Sequence, residues 1–306
     1  MVSLGGMTQR ILVALDLSDS SLAALKSARA LADERGATLA VVHVATHYSD
    51  IQPFFPQNYG LNMTNQLELE RLAREGIERE LAQVEGCSNA ERFFEIGTPY
   101  AEIVRRAEAW NADLIVVGSH GKTGVARALL GSVAEHVVRL AHCPVLVSRP
   151  LRGSGLVMAA TDLSDPSLPA VTAAAEEARR RGASLTVVHA MERSLAAYGA
   201  PAAALFGSTV PVPSPDEQKQ MREWLLTVLG DAMRGLGAVG EPLVVEGGVV
   251  ASVVRAVEER QADLLVIGTH GRTGLSRLLL GSVAEKLVRL VDCSVLVARK
   301  VPSAAQ

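Results

Sequence analysis

The sequence predicts an α/β fold formed twice: two tandem doubly wound domains, each an open five-stranded parallel sheet with helices on both faces. Residues 118–149 and 268–299 align without a gap, and 21 of their 32 positions are identical. Within each copy, short runs that are apolar throughout alternate with amphipathic stretches of helical period. Such alternation is typical of a parallel sheet covered on both faces, joined by right-handed crossovers. The 306 residues suffice for two domains, which we place at 1–152 and 153–306.

The helices and strands of the first copy are predicted from the spacing of apolar residues and from the turn-forming residues between the apolar stretches. The apolar runs predict five strands, at residues 11–15, 39–44, 91–96, 114–117 and 145–147. The first helix follows strand one, where Asp16, Ser18 and Ser20 offer oxygens for its N-cap and Gly36 suits its C-terminal cap. The later stretches of helical period predict helices at 65–84, 100–109 and 132–140.

The second copy repeats this order. "ILVALDLSDSSLAAL" from Ile11 answers to "LVMAATDLSDPSLPA" from Leu156, and "RGATLAVVHVA" from Arg35 answers to "RGASLTVVHAM" from Arg181. A period of about 150 residues is too long for a solenoid. The chain therefore reads as a duplicated domain, with its join at residues 149–155, where Pro and Gly interrupt the pattern.

Composition excludes several classes of protein. The net charge is −3 and aromatic residues make up 4% of the chain, so neither a basic surface nor a base-stacking platform for nucleic acid is indicated. No apolar run approaches the roughly 18 residues that span a bilayer. The opening residues lack the pattern of a signal peptide, and Met7 could be the natural start. Three cysteines without a C-x-x-C motif favour the cytoplasm.

Glycines follow the fourth strand of each copy, at the edge of the sheet where open α/β folds bind ligands. They permit unusual backbone conformations and close approach of a ligand, and the next helix begins there with unpaired N–H groups and a positive dipole end. Together with a serine hydroxyl they predict a phosphate cradle. The pattern Gly-x2-Gly-x9-Gly-Ser comprises Gly118, Gly121, Gly131 and Ser132, and again Gly268, Gly271, Gly281 and Ser282.

The "GKT" at Gly121 does not make a P-loop. That motif needs a glycine five residues before Gly121, where Val116 stands, and the second copy has Arg272 in place of Lys122. A lysine dedicated to gripping phosphate would tolerate that exchange poorly, because the two cations differ in geometry. Lys122 and Arg272 could lie near terminal phosphates or in solvent.

These residues together resemble the universal stress protein family in its tandem two-domain form. The resemblance covers essentially the whole chain and depends on "ALDLSDSS", "VVHV", "ADLIVVGSHG" and the glycine pattern. It implies a sheet ordered 3-2-1-4-5 in each copy. It also implies ATP as the ligand, which family members with this glycine pattern bind, and is compatible with Mg²⁺ bridging the phosphates.

The resemblance further implies the site residues, copy by copy. Adenine and ribose would be bordered by Ala14, Asp16 and Val44, and the phosphates would be held by Val117, Gly118, Gly121, Gly131, Ser132 and Val133. The second copy would use Ala160, Asp162, Ala190, Ile267, Gly268, Gly271, Gly281, Ser282 and Val283. Ala14 and Ala160 stand where the family often has Pro, and Ala190 departs from its usual β-branched residue.

Several polar residues near these positions have more than one interpretation. Asp16 and Asp162 could bond the nucleotide, cap the following helix, or do both. For His120 and its counterpart His270 we expect loop packing or a phosphate hydrogen bond rather than catalysis. We expect His43 and His189, at the end of the second strand, to be satisfied core residues.

The sequence therefore predicts an ATP-binding stress-response protein with one site per copy and slow or absent hydrolysis. The rival is an enzyme, an ATPase or an ATP-dependent transferase, for which His120 and Asp16 are the nearby candidates. The unlike segments 46–64 and 192–215 could cover the nucleotide, contact partners or be structureless. By resemblance, strands 145–147 and 295–297 would pair within the chain, and a homodimer is expected.

Overall fold

The computed structural model describes residues 9–46, 63–120, 130–191, 214–237, 239–269 and 280–299. The chain divides into two compact units, the first ending at Pro150 and the second comprising Leu151–Lys300. Each unit is an α/β body in which parallel strands alternate with helices, as predicted.

The first unit contains nine helices and strands in its described part. They are β1 (Arg10–Ala14), α1 (Asp19–Arg35), β2 (Thr38–Ala45), α2 (Met63–Ala82), β3 (Glu91–Ile96), α3 (Pro99–Ala109), β4 (Leu114–Gly118), α4 (Ser132–Leu140) and β5 (Val145–Ser148). The strands pair in parallel in the order β3-β2-β1-β4-β5, with Val13 opposite both Val41 and Val116. The order implied by the family resemblance is confirmed.

The second unit repeats this arrangement. Its described elements are β6 (Leu156–Ala160), α5 (Leu168–Arg181), β7 (Ser184–Met191), α6 (Pro215–Gly235), β8 (Gly240–Glu246), α7 (Val249–Glu259), β9 (Leu264–Gly268), α8 (Ser282–Leu290) and β10 (Ser294–Ala298). The parallel order is β8-β7-β6-β9-β10. One difference is a 3₁₀ turn, Asp165–Ser167, before α5; it contains Pro166, where the first copy has Ser20 and the helix has already begun.

The strands are apolar because helices cover both faces of each sheet. Ile11, Leu12 and Val13 are fully buried in β1, and Leu264 and Leu265 are fully buried in β9. In the first unit α1 packs on β1, β4 and β5, whereas α3 packs on α4 and β2. From β1 the chain proceeds to β2 and β3 on one side of the sheet, and then to β4 and β5 on the other side. The strand order therefore reverses between β1 and β4, and a crevice opens between the carboxyl ends of these two strands.

Local capping fixes where α1 begins and ends. Of the three predicted N-cap candidates, Ser18 is the cap: its hydroxyl accepts from the backbone of Ser21, and the Ser21 side chain bonds back to Ser18. Gly36 ends the helix in the left-handed conformation, with φ 60°. Capping boxes of this kind satisfy N–H groups that a helix start leaves unpaired.

Candidate functional site

A cavity of about 730 Å³ opens at the carboxyl ends of β1, β2 and β4 in the first unit. Its volume lies within the range of about 300–1,000 Å³ usual for small-molecule sites. Every described residue that was predicted for this copy lines it: Ala14, Asp16, Val44, Val117, Gly118, Gly131, Ser132 and Val133. Gly121 and Lys122 lie outside the described residues.

The second unit has the corresponding cavity, of about 400 Å³. Its lining again contains all the described predicted residues: Ala160, Asp162, Ala190, Ile267, Gly268, Gly281, Ser282 and Val283. Gly271, His270 and Arg272 lie outside the described residues, as does most of each unlike segment, 46–64 and 192–215. The fold thus brings residues from three distant stretches of each copy to one place.

The turn after the first strand of each unit is held by its aspartate. Asp16 Oδ1 accepts from the backbone N–H of Ser18 at 3.2 Å and from its hydroxyl at 2.5 Å. Asp162 accepts the same two bonds from Ser164, at 3.0 and 2.5 Å. The predicted capping role of Asp16 is therefore indirect, because it positions Ser18, which itself caps α1.

The residue between the aspartate and the serine of this turn has a strained backbone in both units. Leu17 has φ 64° and Leu163 has φ 62°. A positive φ is an outlier for a bulky side chain, and such strain persists only where the surrounding structure enforces it. Leu17 packs against Gly76 of α2, where a Cβ atom would lie 2.7 Å from the Leu17 Cδ1 atom. The contact with α2 helps to hold this turn at the mouth of the cavity.

Gly118, the last residue of β4, faces the first turn of α1 rather than empty space. A Cβ atom at Gly118 would lie 2.9 Å from the carbonyl oxygen of Ser20. Its backbone is outside the left-handed region, so the sequence-based expectation of an unusual conformation is wrong for this residue. Gly118 is required because the protein's own backbone approaches it closely.

Gly131 stands at the N-cap of α4 and has a different environment. Its φ of −65° and ψ of 143° are available to any residue, and no side-chain cap is found at this helix start among the described residues. The Gly131 N–H donates to the Ser119 carbonyl at 2.8 Å, which ties the helix start to the end of β4. Gly281 repeats this geometry, with φ −64° and a 2.8 Å bond to Thr269. The N–H groups of the next residues have no intrahelical acceptor and face the cavity end of the helix.

His43 and His189 join the first two strands of each sheet at the cavity floor. The Nδ1 atom of His43 donates to the Leu15 carbonyl at 2.8 Å, and that of His189 donates to the Thr161 carbonyl at 2.8 Å. These bonds confirm that both rings are satisfied. The expectation that they are core residues is confirmed for His189, which is buried, whereas His43 is only partly buried. They also line the two cavities, which their position in the sequence alone did not establish.

His120 lines the cavity of the first unit, and its ring is held by a neighbour. The hydroxyl of Ser119 lies 2.8 Å from His120 Nδ1. Burial lowers the pKa of His120 below its ordinary value, and the nearby Arg149 guanidinium lowers it further. The imidazole is therefore neutral at neutral pH.

The sequence reasoning missed the wall that α3 contributes. Pro99 and Ile103 line the first cavity, and Val249 and Val253 from α7 line the second. The first turn of α3 follows the carboxyl end of β3, and this position at the strand-end edge was the available signal. Leu72 and Ala73 of α2 line the first cavity, whereas no described residue of α6 lines the second. This difference could not be predicted from the repeat, because the repeat predicts the same lining for both copies.

The described residues contain no group of three or more His, Cys, Asp or Glu side chains arranged to bind a metal ion. Among the described helices, none is long and apolar enough to cross a membrane.

Comparison with known proteins identifies the family. The model of the universal stress protein family matches residues 7–149 and again residues 155–299. The chain belongs to the universal stress protein family. Among solved structures, a universal stress protein from Archaeoglobus fulgidus DSM 4304 is similar in fold, with a TM-score of 0.65 and 20% identity over 95% of this chain and 96% of that one.

The relatives of this universal stress protein include chains that match a single copy and chains that match both copies. A universal stress protein from Methanocaldococcus jannaschii is 42% identical over 146 residues, which are 45% of this chain and 81% of the relative. One from Mycobacterium tuberculosis strain H37Rv is 29% identical over 286 residues, 87% of this chain and 88% of the relative. Members of the family thus match either one copy or the whole duplicated chain.

Proposed function

We propose that this universal stress protein binds ATP at one site in each unit, and that binding sets its conformation or its partners in a stress response. The observation that carries the proposal is the shared geometry of the two cavities. Each lies at the strand-end crevice of a doubly wound sheet, and each ends at a helix start that no side chain of the described residues caps. This is the arrangement that binds phosphate in other α/β proteins.

The glycine at each helix start supports a phosphate rather than a neutral group. The backbone conformation of Gly131 and Gly281 does not demand glycine. A residue without a side chain at a helix start lets a ligand approach the main chain closely. The exposed Ser132 adds a hydroxyl at the first helical residue. Amide N–H groups, a hydroxyl and the positive end of the helix dipole together favour an anion there.

The lining of the first cavity combines apolar and polar side chains. Val44 from β2, Ile103 from α3 and Val117 from β4 supply apolar surface on which a flat ring could pack. Asp16 also lines the cavity, and a carboxylate can accept hydrogen bonds from ribose hydroxyl groups. This mixture of groups supports a nucleotide as the ligand.

The role of a binder with slow or absent turnover is supported by how the polar groups near the phosphate end are engaged. Asp16 accepts two hydrogen bonds from Ser18, and His120 is tied through Nδ1 to Ser119. Any Mg²⁺ would be held largely by the phosphates and water, since no carboxylate cluster is present among the described residues. Phosphate release from ATP and Mg²⁺ at many turnovers per minute would instead favour the rival enzyme.

The proposal is tested by filling both helix starts. The double variant Gly131→Val with Gly281→Val places a branched side chain where the phosphates would lie, so ATP binding measured by titration calorimetry should be lost. Ser132→Ala removes only one hydroxyl bond and should weaken binding at its site by about 1 kcal/mol.

Gly235→Val serves as the control, because a Cβ at Gly235, the last residue of α6, meets no atom within 4 Å. It should bind ATP like the unaltered protein. Unchanged binding in the double variant would show that the phosphate site is placed wrongly. Comparison with ADP, cAMP and GTP then defines which nucleotide the cavities prefer.

A further inference from the structure

The second unit has a separate hollow of about 390 Å³ at the outer edge of its sheet. β8 is the outermost strand there, and Val244, Val245 and Glu246 of this strand line the hollow. Arg222 of α6 and Arg255 of α7 line it as well. None of the described residues that line it also lines the second cavity, so a ligand here would not occupy the proposed nucleotide site.

The first unit shows which group lies beside the arginine that corresponds to Arg222. Val244 of β8 and Phe94 of β3 are equivalent, because each pairs with the histidine of the neighbouring strand. On α2, the Arg74 guanidinium lies 4.1 Å from the centre of the Phe94 ring. Arg74 and Arg222 are equivalent too, because each stands three residues before the first of two buried apolar residues spaced four apart. The second unit therefore keeps the arginine and lacks the ring, and Arg222 has no ion-pair partner among the described residues.

A carboxylate is missing in the same way near Arg255. In the first unit, Glu95 accepts a hydrogen bond of 2.6 Å from Arg105 of α3. Val245 stands at the position of Glu95, and Arg255, like Arg105, is the seventh residue of its helix. Within the described part of the chain, the ion pair of Arg255 is with Glu259, at an N–O distance of 3.9 Å. That distance is too long for a hydrogen bond, so the guanidinium has no short bond to a carboxylate.

The hollow is present because the side chains that fill this place in the first unit are shorter in the second. The Arg106 guanidinium lies 4.5 Å from the centre of the Phe93 ring, and Ala256 of α7 stands at the position of Arg106. Valines likewise stand where β3 has Phe94 and Glu95. Two cations thus remain in the second unit without the ring and the carboxylate that their counterparts contact.

The charges of the lining limit which ligand fits. Glu246 and Glu259 also line the hollow, so two carboxylates balance the two guanidinium groups. Such a lining disfavours a polyanion, because its further charges would face the carboxylates. A single carboxylate can instead bond one arginine, and an aromatic ring can pack on valine side chains and stack on the other guanidinium. The lining therefore favours a ligand with one ring and one carboxylate.

We propose that this hollow binds an aromatic monocarboxylate, with its carboxylate bonded to Arg255 and its ring between Val244 and the Arg222 guanidinium. The ligand then supplies from outside the two groups that Phe94 and Glu95 supply within the first unit. The site goes beyond the proposed function, because it takes a second kind of ligand and shares no described lining residue with either cavity. Both arginines are exposed, so the expected dissociation constant is ~1 mM.

The test titrates the full chain with phenylacetate, phenylpropionate and phenylbutyrate, observed by saturation-transfer NMR of the ligand. The three acids differ only in the spacing between ring and carboxylate, so at least one should span the hollow. Arg255→Gln removes the cation that bonds the carboxylate, and Arg222→Gln removes the cation that stacks on the ring. Each should weaken binding about two- to fivefold, the range expected of exposed contacts. Arg234→Gln, at an exposed arginine of α6 outside the lining, is the control and should leave binding unchanged.

A second pair of variants restores the arrangement of the first unit. Val245→Glu places a carboxylate at the position of Glu95, close to Arg255, and should abolish binding of the acids. Val245→Gln has nearly the same size without the charge and should retain binding. Val245 is partly exposed, so neither side chain is forced into the core. Ligand signal that persists in Val245→Glu arises elsewhere on the protein and is subtracted.

Each outcome decides the proposal. Binding that is weakened by Arg222→Gln and Arg255→Gln, abolished by Val245→Glu and retained by Val245→Gln supports it. No binding of any of the acids to the unaltered protein at ~10 mM, equal binding to the two Val245 variants, or an equal loss in Arg234→Gln overturns it. Acetate or phenylethanol bound as tightly as the best acid also overturns it, since each carries only one of the two groups. ATP binding should be unchanged in every variant, and an unaltered protein that binds no ATP would overturn the proposed function alone.

Discussion

Gly118 and Gly131 belong to one spacing pattern, yet the structure accounts for them differently. At Gly118 the neighbour is the Ser20 carbonyl of α1, which would lie 2.9 Å from a Cβ atom. At Gly131 an ordinary φ of −65° leaves the glycine unexplained by backbone conformation. A motif that looks uniform in the sequence thus combines one glycine needed for packing with one whose backbone conformation does not require glycine.

The packing role of Gly118 predicts a loss of stability. Gly118→Ala forces a methyl group against backbone atoms that cannot rotate away, so the first unit should be destabilised by about 1–3 kcal/mol. Urea unfolding followed by circular dichroism measures the change.

Gly235→Ala is the control for this substitution. At Gly235 an added Cβ meets nothing within 4 Å, and alanine is the better helix former by about 1 kcal/mol in a helix interior, less at this last position of α6. Its stability should be unchanged or slightly higher. An equally stable Gly118→Ala protein would show that α1 can move away from β4 at little cost.

At the scale of elements, the second unit begins with a loop wrapped around one carboxylate. Asp263 accepts the backbone N–H groups of Arg152, Gly153 and Gly155 at 2.9, 2.7 and 2.7 Å, and the hydroxyl of Ser154 at 3.2 Å. These bonds join the chain before β6 to the start of β9. Among the described residues, the corresponding Asp113 of the first unit accepts one backbone bond, from Arg10 at 2.8 Å.

This loop predicts a pH-dependent contribution to stability. Burial raises the pKa of Asp263, but the bonds from Gly155, Gly153, Arg152 and Ser154 outweigh it and leave the pKa below the ordinary 3.8. A carboxyl whose pKa is lowered in the folded state stabilises that state above its unfolded pKa. The contribution is lost as the pH falls through the folded pKa.

Asp263→Asn should therefore destabilise the second unit by about 1–3 kcal/mol near neutral pH, since an amide oxygen cannot accept all four bonds as a carboxylate does. The difference from the unaltered protein should shrink as the pH is lowered below about 4. Urea unfolding at a series of pH values measures it, and Asp113→Asn should cost less. A constant difference across the whole pH range would be inconsistent with this role.

At the scale of the whole molecule, duplication gives two cavities that are related but not equal. The first is about 730 Å³ and the second about 400 Å³, and residues of α2 line only the first. Ala190 replaces Val44 in the second lining. Equivalent main-chain geometry with different walls favours two sites of the same chemistry and unequal affinity.

Applied to these two cavities, the proposed function predicts a stoichiometry of two nucleotides per chain. Gly131→Val and Gly281→Val, made separately, should each leave one equivalent of ATP bound, with dissociation constants that differ from one another. Native mass spectrometry of the gently purified protein counts the bound nucleotides, and calorimetry gives the constants. A single variant that removes both equivalents would contradict independent sites.

The family resemblance predicts two kinds of pairing. Within the chain, strands 145–147 and 295–297 are predicted to pair, and two chains are predicted to form a homodimer. Sedimentation equilibrium would measure the homodimer directly.

The sequence by itself determined the duplication, the α/β class and the strand-end residues of the two cavities. It could do so because these depend on local period and on the fixed location of ligand crevices in doubly wound sheets. The unlike segments between the second strand and the second helix carried no repeat, so their roles could not be predicted.

Only the tertiary structure decided which atoms meet across the chain. It placed Ser20 against Gly118, joined Ser119 to Gly131, and wrapped residues 152–155 around Asp263, each from separate elements. Such contacts leave no periodic trace in a sequence, because they depend on where two elements are packed rather than on either element alone. The orientation of His120 and the strain at Leu17 follow from that packing.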